Sequence, residues 1–205
     1  MSDISRLRKF VQQFTTLIDQ SSADETRILE DGELLLAELV KHDDWLPEEF
    51  SRPNPVSYRQ NLLFCDARER FSIVSFVWGP GQSTPIHDHT VWGMIGMLRG
   101  AEHCEEFDCD QIGSPLRVGT RHELTPGQID KVSPRIGDIH RVSNALNERP
   151  SISIHVYGAN IGAVSRHVFE LGPGTVKPFV SGYSSDTVPN LWDRSAEVRA
   201  AMGGR

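Results

Sequence analysis

Apolar residues recur every three or four positions through the first 45 residues, and then the rhythm changes. Ile4, Leu7, Phe10, Val11, Phe14, Leu17 and Ile18 fall on one helical face. Ile28, Leu29, Leu34, Leu35, Leu36, Leu39 and Val40 repeat the habit, with Ser22 or Asp24 placed to cap the second helix. Both helices are expected to pack an apolar stripe on a neighbouring core and to carry no chemistry. From about residue 56, short β-branched and aromatic runs alternate with Gly, Pro, Asn and Asp. Strands are predicted over Phe71–Trp78, Val91–Leu98, Glu102–Phe107, Arg117–Leu124, Gln128–Val132, Ile139–Ser143, Ser151–Tyr157 and His167–Leu171. The segments between them include GPGQSTP, DQIGSP, TPGQ, SPRIGD and NERP. Many short strands punctuated by turns predict a mainly β fold, a sandwich or small barrel. The last stretch, with SGYSSDTVPN and AMGGR, reads as a surface tail with room for a short helix. The expected division is a helical extension over 1–45, a β-barrel over 46–175 and a tail over 176–205, together one structural domain.

Composition narrows the classes. At 205 residues, 38% apolar and 24% charged, the chain is globular and long enough to bury a core. A net charge of -7 argues against a nucleic-acid partner and a polybasic membrane surface. No apolar run approaches the roughly 20 residues of a membrane span. MSDISRLRKF lacks the apolar core of a signal peptide, so the expected location is the cytoplasm. Cys65, Cys104 and Cys109 are too few for a disulfide framework and lack CxxC spacing; they are expected as buried or surface thiols without a role.

The histidines are more informative. In Gly81-Gln-Ser-Thr-Pro-Ile-His87-Asp-His89, extended backbone puts His87 and His89 on one face and Asp88 on the other. Such a pair is common on solvated strands. Gly137-Asp-Ile-His140-Arg-Val-Ser-Asn144 adds a third histidine after a glycine turn. Three imidazoles on one barrel face suit Fe(II), Zn(II), Cu(II) or Ni(II), and a three-His site is also a zinc hydrolase pattern. In Ser151-Ile-Ser153-Ile-His155-Val-Tyr157 the alternation places Ser153, His155 and Tyr157 together, able to form a hydrogen-bond relay. On a solvated face that strand would be unremarkable. His103, His122 and His167 have no evident partner, and Trp78 and Trp92 read first as core aromatics and second as pocket walls.

The two histidine segments resemble the paired motifs of the cupin superfamily, which implies a jelly-roll barrel with the N-terminal helices packed on it. Gly81, His87, His89, Gly93 and Gly100 fall at the first motif's places, with Gly93 where a carboxylate ligand usually stands. Gly137, His140 and Asn144 carry the second, with Pro134 one residue off the usual spacing. With SYRQNL and GDIHRVSNALNERPSISIHVY, the chain resembles the thiol dioxygenases, the cysteine dioxygenase kind of cupin, over roughly residues 30–175. The resemblance implies one Fe(II) per chain held by His87, His89 and His140, a Ser153–His155–Tyr157 relay, and addition of both atoms of O2 to the sulfur of a small thiol, giving a sulfinate.

Two departures shape the expected substrate. Mammalian members carry a cysteine crosslinked to the relay tyrosine; here the position is Gly93, so Tyr157 should be an unmodified phenol. They also carry an arginine that pairs with the cysteine carboxylate; here it is Gln60, two residues after Tyr58. This resembles the bacterial 3-mercaptopropionate dioxygenases, in which Arg166 would supply the missing charge. Carboxylate recognition is therefore expected from Gln60, Arg166, Tyr58 and the Tyr157 hydroxyl, because glutamine cannot offer arginine's bidentate fork. 3-Mercaptopropionate ranks first and L-cysteine second, and cysteamine lacks the carboxylate. A non-catalytic metal-binding cupin and a zinc isomerase or hydrolase are the alternatives; the relay argues against the former and the lack of a carboxylate base against the latter. The partners expected are the thiol and O2; oligomeric state is not legible.

Overall fold

The structure, a computed structural model, describes residues 4–172 and 175–191. Two antiparallel helices open the chain, α1 (Ser5–Gln20) and α2 (Glu25–Val40). Asp24 caps α2, its carboxylate accepting from the Arg27 N–H. Among the described residues eleven strands follow: β1 (Arg59–Cys65), β2 (Ser72–Trp78), β3 (Ile86–His87), β4 (Gly93–Arg99), β5 (Glu102–Asp108), β6 (Arg117–Leu124), β7 (Ile129–Val132), β8 (Ile139–Asn144), β9 (Ser151–Tyr157), β10 (Arg166–Phe169) and β11 (Val176–Phe179). They form two sheets, β1-β2-β9-β4-β7 and β11-β10-β3-β8-β5-β6, with every pairing antiparallel. This is the jelly-roll barrel of a cupin, with the helices on its outside.

The middle strands of the first sheet, β2, β9 and β4, are buried on both faces. Ile73, Val77, Met94, Leu98, Ile152, Ile154 and Val156 share one apolar cluster with Leu7, Phe14 and Leu36 of the helices. Close approach depends on two glycines. A Cβ on Gly32 of α2 would come 2.8 Å from Met94, and one on Gly96 of β4 would come 2.9 Å from Leu36 and Val40. Larger residues there would lift the helix off the sheet.

The chain end departs from the surface tail expected after residue 176. β11 pairs with β10, the Ser184 hydroxyl accepts from the Gln60 backbone N–H, and Leu191 is buried in the helix-facing core. Tertiary contact rather than local pattern holds this polar stretch. The short helix allowed near the end and the AMGGR segment lie outside the described residues. Strands β1 and β11 also escaped prediction. β1 opens on Arg59-Gln60-Asn61, and β11 is four residues long with a proline on a sheet edge, so neither shows alternation. Among the described residues, no helix is long and apolar enough to cross a membrane.

Candidate metal centre and active site

The shortest strand builds the centre. β3 pairs with β8 through one register, His87 opposite His140, and with β10 on its other side. Thr90 turns the chain at φ 59°, just after His89. Gly137, at φ 134°, makes the turn into β8 and delivers Asp138 beside His89. The three ring centroids lie 4.8–4.9 Å apart, and one nitrogen from each ring lies within 4.8 Å of the others. All three rings are buried.

Each ring is held from behind by a different group. His87 Nδ1 meets the Pro85 carbonyl at 3.1 Å, and His89 Nδ1 meets the Asp138 carboxylate at 2.9 Å. His140 Nδ1 lies 3.5 Å from Cys104 Sγ. That turns the Nε2 atoms inward, and His89 Nε2 is fully buried with no hydrogen-bond partner. An orphaned buried nitrogen is costly unless something binds it. Burial, reinforced by the neighbouring imidazoles, holds His87 and His140 well below the usual histidine range. They are therefore neutral, the form that ligates a cation. The residues fit a metal.

The relay lines the inner face of β9. Ser153 Oγ is 2.8 Å from His155 Nε2, and His155 Nδ1 is 2.7 Å from the Tyr157 hydroxyl. Phe76 lies against the His155 ring, with centroids 4.2 Å apart, and Tyr157 stacks on His89 at 5.3 Å. Desolvation pushes the Tyr157 phenol up and the His155 imidazolium down, so both stay neutral. Gly93 is the register partner of Tyr157; a Cβ there would come 2.8 Å from the phenol ring. Phe76 stacks with both Tyr58 and Trp78, whose own rings are tilted with centroids 4.7 Å apart. Trp92 instead packs on Phe14 in the helix-facing core.

The residues expected to bind a carboxylate are brought together by the chain end. The Gln60 side-chain amide donates to Ser181 Oγ and to the Gly182 carbonyl, both at 3.1 Å. Its N–H groups are thus engaged within the protein. Arg166 is 3% exposed. It donates from Nη2 to the same Ser181 Oγ at 2.7 Å and covers the Phe179 ring at 4.7 Å, and its buried Nε has no partner. Against the larger effect of burial its charge pulls the Tyr58 and Tyr157 phenols down, and it adds to burial in depressing His87.

Other polar residues were not foreseen. Asp138 accepts from the His89 and Thr90 backbone N–H groups as well as meeting the His89 ring; its place in the Gly-Asp-Ile-His segment was the available signal. Ser181 and Cys104 gave none. Asp88 points away from the centre, as expected, and binds His167 through its backbone N–H and Nδ1 at 2.7 Å. His122 meets Asp130 at 3.0 Å, and His103 lies 3.7 Å from Glu123, so all three histidines read as unpartnered have acidic neighbours. Cys104, His122 and Asp130 also form a second close group; Cys104 and Asp130, with His140, line an open cleft of about 870 Å³. There His122 is already spent on Asp130, and Cys104 on His140.

Residues 5–168 match the family described as Cysteine dioxygenase type I. The chain belongs to the cysteine dioxygenase type I family. Among its relatives, cysteine dioxygenase type 1 of Danio rerio is 25% identical over 145 residues, covering 69% of this chain and 70% of the relative. That of Rattus norvegicus is 23% identical over 158 residues, covering 76% and 77%. A conserved protein with a double-stranded β-helix domain from Klebsiella pneumoniae has 20% identity and a TM-score of 0.46, covering 59% of this chain and 94% of its own. As a member of the cysteine dioxygenase type I family the chain is a thiol dioxygenase. Its substrates are a thiol and O2, and it requires a metal.

Proposed function

We propose that this chain is an Fe(II) thiol dioxygenase that converts a small thiol carboxylate to its sulfinate, with 3-mercaptopropionate favoured. His87, His89 and His140 hold one Fe(II), whose redox and Lewis-acid chemistry lets sulfur and dioxygen react. The single observation that carries the substrate reading is Arg166, a buried guanidinium with an unpartnered Nε beside Tyr58 and Tyr157. A buried unpaired cation is unfavourable until an anion reaches it, so a substrate carboxylate is its natural partner.

Three imidazole ligands bring no negative charge, which favours an anionic thiolate over a neutral thiol. Gln60 and Ser181 hold the arginine in place from behind. The Tyr157 phenol keeps its proton and donates it to the substrate carboxylate or to oxygen; His155 and Ser153 fix its direction. The stacked rings of Tyr58, Phe76 and Trp78 exclude water.

The preference for 3-mercaptopropionate over cysteine rests on charge. Asp88 and Asp138, the acids whose charge reaches Arg166, are already held by His167 and by His89 with Thr90. The ammonium of cysteine would find no free carboxylate there, whereas 3-mercaptopropionate has no ammonium to desolvate. L-Cysteine is the second reading, favoured by the names of the relatives. Oxygen uptake and sulfinate yield with 3-mercaptopropionate, cysteine and cysteamine on the Fe(II) protein test this. The expected order of kcat/KM is as written. A higher value for cysteine overturns the preference, and equal turnover of cysteamine overturns the role of Arg166.

A further inference from the structure

One buried acid remains without a role. Glu102 opens β5, is 2% exposed, and borders a small cavity with Ile95, Leu124 and Val142. The polar groups facing its carboxyl are the Ser153 and Ser151 hydroxyls and the Trp78 indole. Neither carboxyl oxygen, nor Ser151 Oγ, has a hydrogen-bond partner. Ser153 is the end of the relay, and Trp78 Nε1 reaches the same Ser153 Oγ at 3.5 Å. The other titratable groups around Glu102 are Cys104 on its own strand, Asp130 on β7, His140 on β8, and His155 and Tyr157 beyond Ser153 on β9.

We propose that Glu102 is a positioning residue for Tyr157: as a neutral acid it donates to Ser153 and so sets the direction of every hydrogen bond in the relay. A hydroxyl has one proton, and a neutral imidazole has one N–H and one bare nitrogen. The chain can therefore run only one way at a time, and its end decides which. When Glu102 donates to Ser153 Oγ, Ser153 donates to His155 Nε2. His155 Nδ1–H then donates to the Tyr157 oxygen, and the phenol proton faces the reaction site. When Glu102 is ionised it can only accept. Ser153 then donates to Glu102, His155 Nε2–H to Ser153, and Tyr157 to the bare Nδ1, which withdraws the phenol proton from the site. The change releases one proton, from Glu102 to solvent, and leaves the relay groups neutral. Burial favours the donating form, raising the carboxyl to about 8 against the opposing pull of Ser153, Ser151 and Trp78.

This inference rests on the proposed role of Tyr157 as donor. The test is the pH profile of kcat for the Fe(II) protein with 3-mercaptopropionate, compared for wild type, Glu102→Gln, Glu102→Leu and Tyr157→Phe. Wild type loses turnover as pH rises through about 8. Glu102→Gln keeps an N–H donor, so it retains more turnover than Glu102→Leu and lacks that alkaline loss. Glu102→Leu falls roughly tenfold in kcat at neutral pH with little change in KM, as for one lost hydrogen bond. An alkaline loss unchanged in Glu102→Gln overturns the inference, and this readout stands even if Glu102→Leu fails to fold. Full turnover in Tyr157→Phe overturns instead the donor role on which it rests.

Discussion

Along β9, neighbouring side chains are equally buried and made of opposite materials. Ile152, Ile154 and Val156 are 0% exposed against the helices, while Ser153, His155 and Tyr157 are at most 3% exposed inside the barrel. The outer face is held by apolar burial, which is non-directional and tolerates exchange of similar volumes. The inner face is held by hydrogen bonds at 2.7 and 2.8 Å, each of which fixes a donor and an acceptor. Damage should therefore differ in kind. Changes on the outer side weaken folding and spare chemistry, and changes on the inner side do the reverse.

Removing a ligand is the strongest challenge to that contrast. His140→Ala should lose bound metal and essentially all turnover while keeping its circular dichroism; retained metal with full turnover would remove His140 from the centre. Tyr157→Phe should lower kcat by roughly a hundredfold, the low end of what a positioned acid contributes, with iron content unchanged. Equal loss of iron and rate would contradict the relay role. On the helix side, Leu36→Ala should cost about 2–5 kcal/mol in denaturant unfolding, with kcat of the folded fraction intact. A selective loss of kcat there would erase the division between the faces.

Smaller effects sharpen it. Glu102 ionises at about 8 when folded, against an ordinary value of 4.5. Between these values the folded state holds the extra proton, so this group's contribution to stability falls as pH rises, by roughly 1.4 kcal/mol per pH unit. Glu102→Gln should flatten that slope in urea melts between about pH 6 and 8; an unchanged slope would assign it to other groups. Asp24→Ala should cost about 1 kcal/mol through the lost α2 cap and leave the kinetics alone, as thermal melts alongside oxygen uptake would show.

Period and punctuation sufficed for both helices and for most strands, because alternation and turn residues are local. The His87–His89 spacing and the Gly137 turn likewise made the three-histidine group legible, since i and i+2 share a face in extended chain. Ser153, His155 and Tyr157 were legible as a set for the same reason. That they point into the barrel depends on which face the helices cover. Nothing local marked Cys104 as the neighbour of His140, Ser181 as the tie between Gln60 and Arg166, or Glu102 as the acid beside Ser153.

The sequence by itself determined the helices, most strands, the histidine spacing and the family's motifs, because each depends on residues a few positions apart. Only the tertiary structure decided which polar atoms are dry, which are paired and which are left without a partner. Desolvation and hydrogen bonding here join residues as far apart as Gln60 and Ser181, or Asp138 and His89. Those long-range pairings distinguish a fixed donor from a free one, and so set the chemistry the motifs can perform.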